Sequence, residues 1–320
     1  MKLTAAKRIF TAVSMLAAFS VAHAYPDKSI TIIVPFNAGT VNDINARDLA
    51  DRLAEQTGEA VVVENRVGAE GTIGGQRLLS QAADGHTLMF TSNSLTVFDP
   101  LMKKNIPYDP VNDFAPVCAV ARTSHIVNVS GEGPHKTLND LVTAAKADPG
   151  KLTFAYTSSS MRLSGELFAQ SAGIELTSVP YKSSVTGMTD VSSGRVDMVI
   201  IDQLSARPFH ESGKLVPLIV AGETRLPDMP EVPSAAEAGV ANYNMKPWFG
   251  VYASAKTPPE LLDKARDMVR KTLSSPALIA GLKQRGLEPF PVCGDEMNAM
   301  LQEERKVMQQ VVERAKIEKQ

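Results

Sequence analysis

The chain has 320 residues, of which 44% are hydrophobic and 21% charged, and its formal net charge is −2 at pH 7. This is the composition of an ordinary globular protein, and it excludes disordered, collagen-like and coiled-coil chains. The length predicts two domains, each large enough to bury its own core. Nucleic acid is excluded as a partner, because neutralising phosphates requires a concentrated basic face.

The first 24 residues have the composition of an export signal. Lys2, Lys7 and Arg8 form a basic start, an apolar run follows at 9–21, and Ala-His-Ala at 22–24 is a small-x-small cleavage site. The apolar run is shorter than the roughly 20 residues that a membrane-spanning helix needs. We therefore predict a cleaved signal peptide and a mature protein that is exported to the periplasm and is not embedded in the membrane.

The first part of the mature chain alternates strands with helices. A buried strand at 29–36 precedes a helix at 43–56, which ends at Gly58; strands at 60–64 and 86–91 then flank a helix that ends near residue 83. This order predicts a parallel sheet with helices on its faces.

The rest of the chain repeats the alternation. Strands are predicted at 114–121, 125–129, 152–156, 177–180, 196–201, 216–220 and 248–253, and helices at 137–147, 160–172, 185–192, 258–274, 276–285 and 295–317. We predict an α/β fold of two lobes with a ligand cleft between them. The predicted bounds are 1–24 for the signal peptide, 25–121 plus 246–320 for lobe one and 122–245 for lobe two.

Catalytic and metal-binding motifs are missing from the sequence. It contains no nucleophile elbow, phosphate-binding loop or helical zinc motif, and the histidines after residue 24 have no paired spacing. We therefore predict no enzyme activity, no cofactor and no metal, with an exported hydrolase as the weaker alternative. Cys118 and Cys293 could form a disulfide or remain two buried thiols, and the sequence leaves both open.

Small polar residues recur where predicted strands end and helices begin. Five such corners lie at 37–40, 91–94, 157–160, 181–184 and 202–203. Helix N-termini present unpaired N–H groups and a partial positive charge, which suit a carboxylate or a phosphate. Any one corner alone is more typical of an ordinary cap or turn. Five corners that all lie at the carboxyl ends of predicted strands together predict a ligand cleft.

Three charged residues accompany these corners. Asp43 either complements the dipole of its helix or holds the loop at 37–42 by accepting backbone N–H bonds. Arg162 and Lys182 are candidates for binding a ligand carboxylate, although both could equally point to solvent.

Twelve short motifs, in order along the chain, give the sequence a family resemblance. They are YPDKSI at 25–30, VPF at 34–36, VVVENRVGA at 61–69, ADGHTL at 83–88, PYDP at 107–110, DFAPV at 113–117, SGELF at 164–168, VPYK at 179–182, GRVD at 194–197, PEVPS at 230–234, EAG at 237–239 and WFG at 248–250. In these motifs the chain resembles the Bug family of periplasmic solute-binding receptors, the binding subunits of tripartite tricarboxylate transporters.

The resemblance implies a two-lobed, type II periplasmic-binding-protein fold that closes about a hinge on a small carboxylate. A dicarboxylate, an amino acid or an aromatic acid would be delivered to the membrane permease subunits, and the receptor would act as a monomer. The implied ligand-binding residues are Phe36, Asn37, Ala38, Gly39, Thr40, Asp43, Ala69 and Ser92 in lobe one, and Thr157, Ser158, Ser159, Ser160, Arg162, Lys182 and Asp202 in lobe two.

Two departures from the family pattern fall where the ligand is expected. Thr40 replaces a glycine of the first loop, and the loop at 157–160 is short, with Arg162 at the position of a family histidine. These differences leave the ligand class open. They also leave open an alternative in which the protein is a sensor or partner-binding subunit rather than a transport receptor.

Overall fold

The computed structural model of the chain describes residues 25–240, 242–314 and 317–319, so the predicted signal peptide lies outside the described residues. The strands are β1 (Ile30–Val34), β2 (Val61–Asn65), β3 (Thr87–Ser92), β4 (Phe114–Arg122), β5 (His125–Ser130), β6 (Thr153–Tyr156), β7 (Thr177–Pro180), β8 (Met198–Asp202), β9 (Leu215–Val220), β10 (Trp248–Ser254) and β11 (Glu288–Pro289).

Helices connect these strands and cover the sheets. They are α1 (Val41–Thr57), α2 (Thr72–Leu79), α3 (Asp99–Met102), α4 (Leu138–Ala147), α5 (Ser159–Ala172), α6 (Ser184–Ser192), α7 (Gln203–Glu211), α8 (Pro259–Leu273), α9 (Pro276–Gln284) and α10 (Asp295–Arg314). A 3₁₀ turn at Ala69–Gly71 precedes α2, and a π-helical turn at Ser94–Phe98 precedes α3. Among the described residues, no helix combines the length and the apolar character needed to cross a membrane.

The strands form two separate sheets. The six-stranded sheet has the order β11-β4-β10-β3-β1-β2, and the five-stranded sheet has the order β7-β6-β8-β5-β9. We call the first sheet with its helices lobe one and the second lobe two. In lobe one, β1 is parallel to β2 and β3, as predicted, whereas β10 is antiparallel to β3 and β4. The bounds predicted for the lobes, 25–121 plus 246–320 and 122–245, stay a prediction.

Local sequence explains where several elements begin and end. The apolar residues of β1 are fully buried, as expected for a central strand covered on both faces. Helix α1 ends at Gly58, which adopts a φ of 78° that favours glycine. Thr137 and Asp140 form the capping box that starts α4. The second helix ends at Leu79, earlier than predicted, since the chain turns there toward β3.

Two connections between the lobes run side by side. The chain leaves β4 through Thr123 and Ser124 to begin β5, and it returns to β10 through Pro247. The Thr123 N–H donates to the Pro247 carbonyl at 2.9 Å, so the two connections are hydrogen-bonded to each other. This pairing provides a compact hinge between the sheets.

A disulfide resolves the alternative left open for the two cysteines. Cys118 on β4 is bonded to Cys293, which precedes α10, and the described residues contain no free cysteine. The bond lies within lobe one and joins its sheet to its C-terminal helix.

Candidate functional site

A small cavity of about 80 Å³ lies between the lobes, beside the hinge. Both lobes and the two connections contribute to its wall. The lining residues are Phe36, Thr40, Val41, Asn42, Ser92, Thr123, His125, Thr157, Ser158, Ser160, Met161, Ser184, Ile201, Asp202, Ser205, Pro247 and Phe249.

Four helices begin at this cavity. Thr40 caps α1, Ser158 caps α5 and Asp202 caps α7, while Ser184 is the first residue of α6. The first turn of a helix leaves N–H groups without intrahelical partners and carries a partial positive charge. The cavity wall therefore offers N–H donors and a positive field from both lobes, which suits an anion.

The loop from β1 to α1 is held in place by Asp43. The Asp43 carboxylate accepts a hydrogen bond of 2.9 Å from the Gly39 N–H, which is the loop-holding contact expected of it. Thr40 fits its capping position in extended backbone, since its Oγ1 donates to the Asn37 carbonyl at 2.8 Å and accepts from the Asp43 N–H at 3.5 Å. A threonine in place of the family's glycine is thus compatible with the loop.

Asp43 is itself fixed by two neighbours. Asn65 Nδ2 donates to Asp43 Oδ1 at 2.9 Å, and Arg47 Nε donates to Oδ2 at 3.1 Å. Burial alone would raise the pKa of Asp43, but the hydrogen bonds from Arg47, Gly39 and Asn65 outweigh it and hold that pKa below its usual range. Asp43 acts on the cavity through the loop and does not line it.

The three serines at the start of α5 contact two different parts of the structure. Ser158 Oγ caps the helix by accepting from the Met161 N–H at 3.3 Å, and Ser160 lines the cavity. The Ser160 N–H donates to Ser94 Oγ of lobe one at 3.2 Å. Ser159 turns away and donates to Asp99 of lobe one at 2.5 Å. The start of α5 therefore contacts both lobes.

Asp202 and His125 lie next to each other in the lobe-two part of the wall. They are directly opposed in the antiparallel register of β8 and β5, so their side chains share one face of the sheet. The Asp202 carboxylate accepts from the N–H and the hydroxyl of Ser205, each at 2.9 Å. Burial raises the pKa of Asp202 and lowers that of His125 to about 3, which makes His125 neutral at pH 7.

Four polar atoms in the cavity wall have no hydrogen-bond partner in the structure. They are Asn42 Oδ1, Thr123 Oγ1, His125 Nδ1 and Ser160 Oγ, and each of these residues is at most 6% exposed. A buried polar atom without a partner costs about 1–3 kcal/mol, and native structures contain few of them. Four residues with such atoms line one cavity, which points to a site built for a polar ligand.

The structure brings together seven of the residues predicted for the site. Phe36, Thr40, Ser92, Thr157, Ser158, Ser160 and Asp202 line this cavity. The other predicted residues lie outside it. Asn37, Ala38 and Gly39 are exposed on the loop, Lys182 is exposed on lobe two, and Asp43 supports the loop from behind.

Ala69, Ser159 and Arg162 line a second cavity between the lobes, of about 460 Å³. Arg162 Nη2 donates to the Glu318 carbonyl at 3.4 Å, and its Nε is buried without a partner. Lys103 lies in the same wall and contacts Asp99 at 2.9 Å. The predicted basic group of the site is therefore separated from the polar cavity at the hinge.

Sequence reasoning missed several residues of the wall. Asn42, Thr123, His125, Ser205 and Phe249 line the cavity without having been predicted. Thr123 lies in the connection between two apolar strands and His125 begins the second of them. Polar residues at such a point are the signal that could have found them. Asn42 follows Thr40 in the first turn of α1, where side chains commonly face a ligand held by the helix N-terminus.

Comparison with known proteins identifies the family. The chain matches the sequence profile described as "Tripartite tricarboxylate transporter family receptor" over residues 45–317. Protein BugT of Bordetella pertussis is 31% identical over 306 residues, which cover 95% of this chain and 94% of BugT.

Two solved structures share the fold along almost the whole chain. The structure titled "R. palustris Rpa4515 with adipate" is 32% identical with a TM-score of 0.87, and the match covers 92% of this chain and 100% of that one. The periplasmic binding protein BugD is 27% identical with a TM-score of 0.83, again covering 92% and 100%. The two-lobed periplasmic-binding-protein fold predicted from the sequence is confirmed. The chain belongs to the receptor family of the tripartite tricarboxylate transporters.

Proposed function

We propose that the protein captures a small carboxylate in the cavity at its hinge and delivers it to the permease subunits of a tripartite transporter. The observation that carries this proposal is that one cavity between the lobes is lined by the starts of four helices and by four residues with buried, unpartnered polar atoms. Such a wall suits an anion that must be desolvated on binding. The related structure with adipate supports a carboxylate as the ligand class.

Closure of the lobes supplies the means of capture. Lobe one contributes the first turn of α1 and lobe two contributes those of α5, α6 and α7, so the complete set of donors exists only when the lobes are together. A ligand that contacts both walls stabilises the closed form by its differential affinity for it. The closed surface would then be the one that a monomeric receptor presents to its permease.

Export to the periplasm is part of the proposal. The predicted signal peptide at 1–24 would direct the export, and the disulfide between Cys118 and Cys293 suits an oxidising compartment. We propose binding without turnover, because the hydroxyl–carboxylate pair in the described wall, Ser205 with Asp202, is engaged in capping α7. Burial lowers the pKa of His125 to about 3, which makes it a weak base.

A thermal-shift screen of residues 25–320 against carboxylates tests the function. A ligand that binds only the folded state stabilises it by about 2.7 kcal/mol at a hundredfold excess over Kd, so the unfolding midpoint should rise with at least one class of carboxylate. If no carboxylate raises the midpoint, the proposed function is wrong. Any hydrolysis product found in the mixture would contradict binding without turnover.

A matched pair of variants then locates the site. Thr123 Oγ1 and Thr91 Oγ1 are both buried without a partner, but only Thr123 lines the cavity. Thr123→Val should therefore abolish most of the ligand-induced shift, whereas Thr91→Val should leave it unchanged. Equal shifts in the two variants would place the ligand elsewhere.

A further inference from the structure

The charges in the cavity wall are unusual for a site that binds an anion. Asp202 is its acidic side chain, and the described lining residues include no lysine or arginine. The two basic residues expected from the sequence lie elsewhere, since Arg162 lines the second cavity and Lys182 is exposed. The positive field at the cavity therefore comes from helix N-termini alone.

The helix N-termini are not all free to serve a ligand. Asp202 caps α7 with a carboxylate, and its negative charge offsets the positive end of that helix. The caps of α1 and α5 are neutral hydroxyls, and α6 has no side-chain cap. The first turns of α1, α5 and α6 remain for an anion, and each carries about half a positive charge at most. This suffices for one carboxylate group held by backbone N–H groups and hydroxyls.

The same cavity wall also offers acceptors. The Asp202 carboxylate and Asn42 Oδ1 accept hydrogen bonds, and the neutral His125 presents an unpartnered Nδ1 beside Asp202. A second carboxylate placed there would meet Asp202 in a desolvated cavity without a cation between them, and one of the two groups would have to stay protonated. A hydroxyl or an ammonium group would instead donate to Asp202 in a charge-assisted hydrogen bond.

We infer that the site takes a small monocarboxylate whose other end carries a hydrogen-bond donor, a hydroxyl or an ammonium group, and that it discriminates against dicarboxylates. This inference rests on the proposed function and narrows it to hydroxy acids and amino acids. Asp202 is the residue that sets the choice, with His125 and Thr123 as its neighbours in the wall. The volume of about 80 Å³ restricts the ligand to a few carbon atoms.

The test is a series of ligands that differ only in the end group. Isothermal titration calorimetry of residues 25–320 at pH 7 compares butanoate, 4-hydroxybutanoate, 4-aminobutanoate and succinate. The corresponding three-carbon acids, together with lactate and alanine, cover shorter spacings. We expect the best hydroxy or amino acid to bind at least about tenfold more tightly than every dicarboxylate, which is the worth of one charge-assisted hydrogen bond.

Asp202→Asn tests the assigned residue. Asparagine is also a good N-cap, so the variant keeps the start of α7 while it removes the negative charge. The preference should shift toward dicarboxylates, with affinity for the amino acid falling and affinity for succinate rising. Asp197→Asn is the matched control, because Asp197 also accepts from a backbone N–H and a hydroxyl, those of Thr153, but lies away from the cavity. It should leave the preference unchanged.

The outcomes of these experiments distinguish failure of the inference from failure of the proposed function. A dicarboxylate that binds as tightly as any hydroxy or amino acid, or tight binding of a tricarboxylate or an aromatic acid alone, overturns the inference and leaves a carboxylate receptor. Failure of every carboxylate to bind removes the proposed function as well. The unfolding midpoint of Asp202→Asn without ligand shows whether the variant folds. If it does not fold, the end-group series on the native protein still tests the ligand preference.

Discussion

The carboxylate of Asp99, in lobe one, accepts a hydrogen bond of 2.5 Å from the hydroxyl of Ser159, in lobe two. Asp99 is 1% exposed, and Lys103 Nζ contacts its other oxygen at 2.9 Å. Burial raises the pKa of Asp99 from 3.8 to about 6, against the opposing effects of Lys103 and Ser159. A contact that joins the lobes is thus made by a carboxyl group that titrates at mildly acidic pH.

The raised pKa of Asp99 predicts a pH dependence of stability with a defined sign. Between 3.8 and about 6 the folded protein holds a proton that the unfolded chain releases, so this group lowers the free energy of unfolding as pH rises through that window. Asp99→Asn should remove this contribution. Urea unfolding from pH 4 to 7 measures it, as a difference in slope between native protein and variant. Asp267→Asn, at an exposed ion pair, is the control, and parallel curves for Asp99→Asn and the native protein would contradict the prediction.

Asp43→Ala should loosen the loop beside the cavity. The variant loses the hydrogen bonds from Gly39, Arg47 and Asn65, and we expect the free energy of unfolding to fall by about 1.5–3 kcal/mol. Ligand affinity should fall as well, since the loop carries the cap of α1.

The control for Asp43 is another acidic residue at the same helix position. Asp140 is the third residue of α4 and completes an exposed capping box, as Asp43 is the third residue of α1. Asp140→Ala should lower stability by weakening the start of α4, with no change in ligand affinity. Calorimetric titration of both variants checks this, and equal affinities would mean that the loop does not shape the site.

Removing the disulfide should affect stability without affecting binding. Cys118 and Cys293 are 175 residues apart, and the bond lies in lobe one, away from the residues that line the cavity. The double variant Cys118→Ala with Cys293→Ala should lose about 2–5 kcal/mol of unfolding free energy, measured by urea denaturation. Its ligand Kd, measured well below the unfolding midpoint, should match that of the native protein. A changed Kd would show that the bond constrains the lobes.

Arg162→Met distinguishes the two cavities between the lobes. Because Arg162 lines the larger cavity, its loss should change the Kd of a ligand held at the hinge by less than about twofold. Methionine keeps most of the length of the side chain, which limits the loss of packing. An affinity loss of about tenfold or more, the worth of a charged hydrogen bond, would show that the ligand extends into the larger cavity.

The placement of Arg162 shows where sequence reasoning reaches its limit. The polar corners after β1, β3, β6 and β8 could be predicted to converge, because the alternation of strands and helices fixes which ends meet. The direction in which the Arg162 side chain leaves α5 could not be predicted in this way. Residues two apart on a helix point to nearly opposite sides, so Ser160 at the cavity turns Arg162 away from it. The register that decides this is set by Ser158 as the cap, which the pattern of four small residues at 157–160 does not reveal.

His125 and Thr123 were missed for a different reason. Their role depends on the lobe-two sheet, where the antiparallel pairing of β5 with β8 sets His125 opposite Asp202. Sequence periodicity gives strands but not which strands pair, and residues 77 positions apart cannot be matched from it. The disulfide was left open for the same reason, since the adjacency of Cys118 and Cys293 arises only in the folded lobe.

The hydrogen bond from the Thr123 N–H to the Pro247 carbonyl joins the two connecting segments between the lobes. These segments form the axis of the proposed closure. In the closure proposed above, points on the rotation axis move least, so Thr123 would keep its position while the starts of α1 and α5 travel toward each other. Thr123 also lines the cavity. A solute that reaches the base of the cleft would thus contact Thr123 first, and the starts of α1 and α5 would close around it afterwards. Capture would then proceed in two steps, binding at the hinge followed by enclosure.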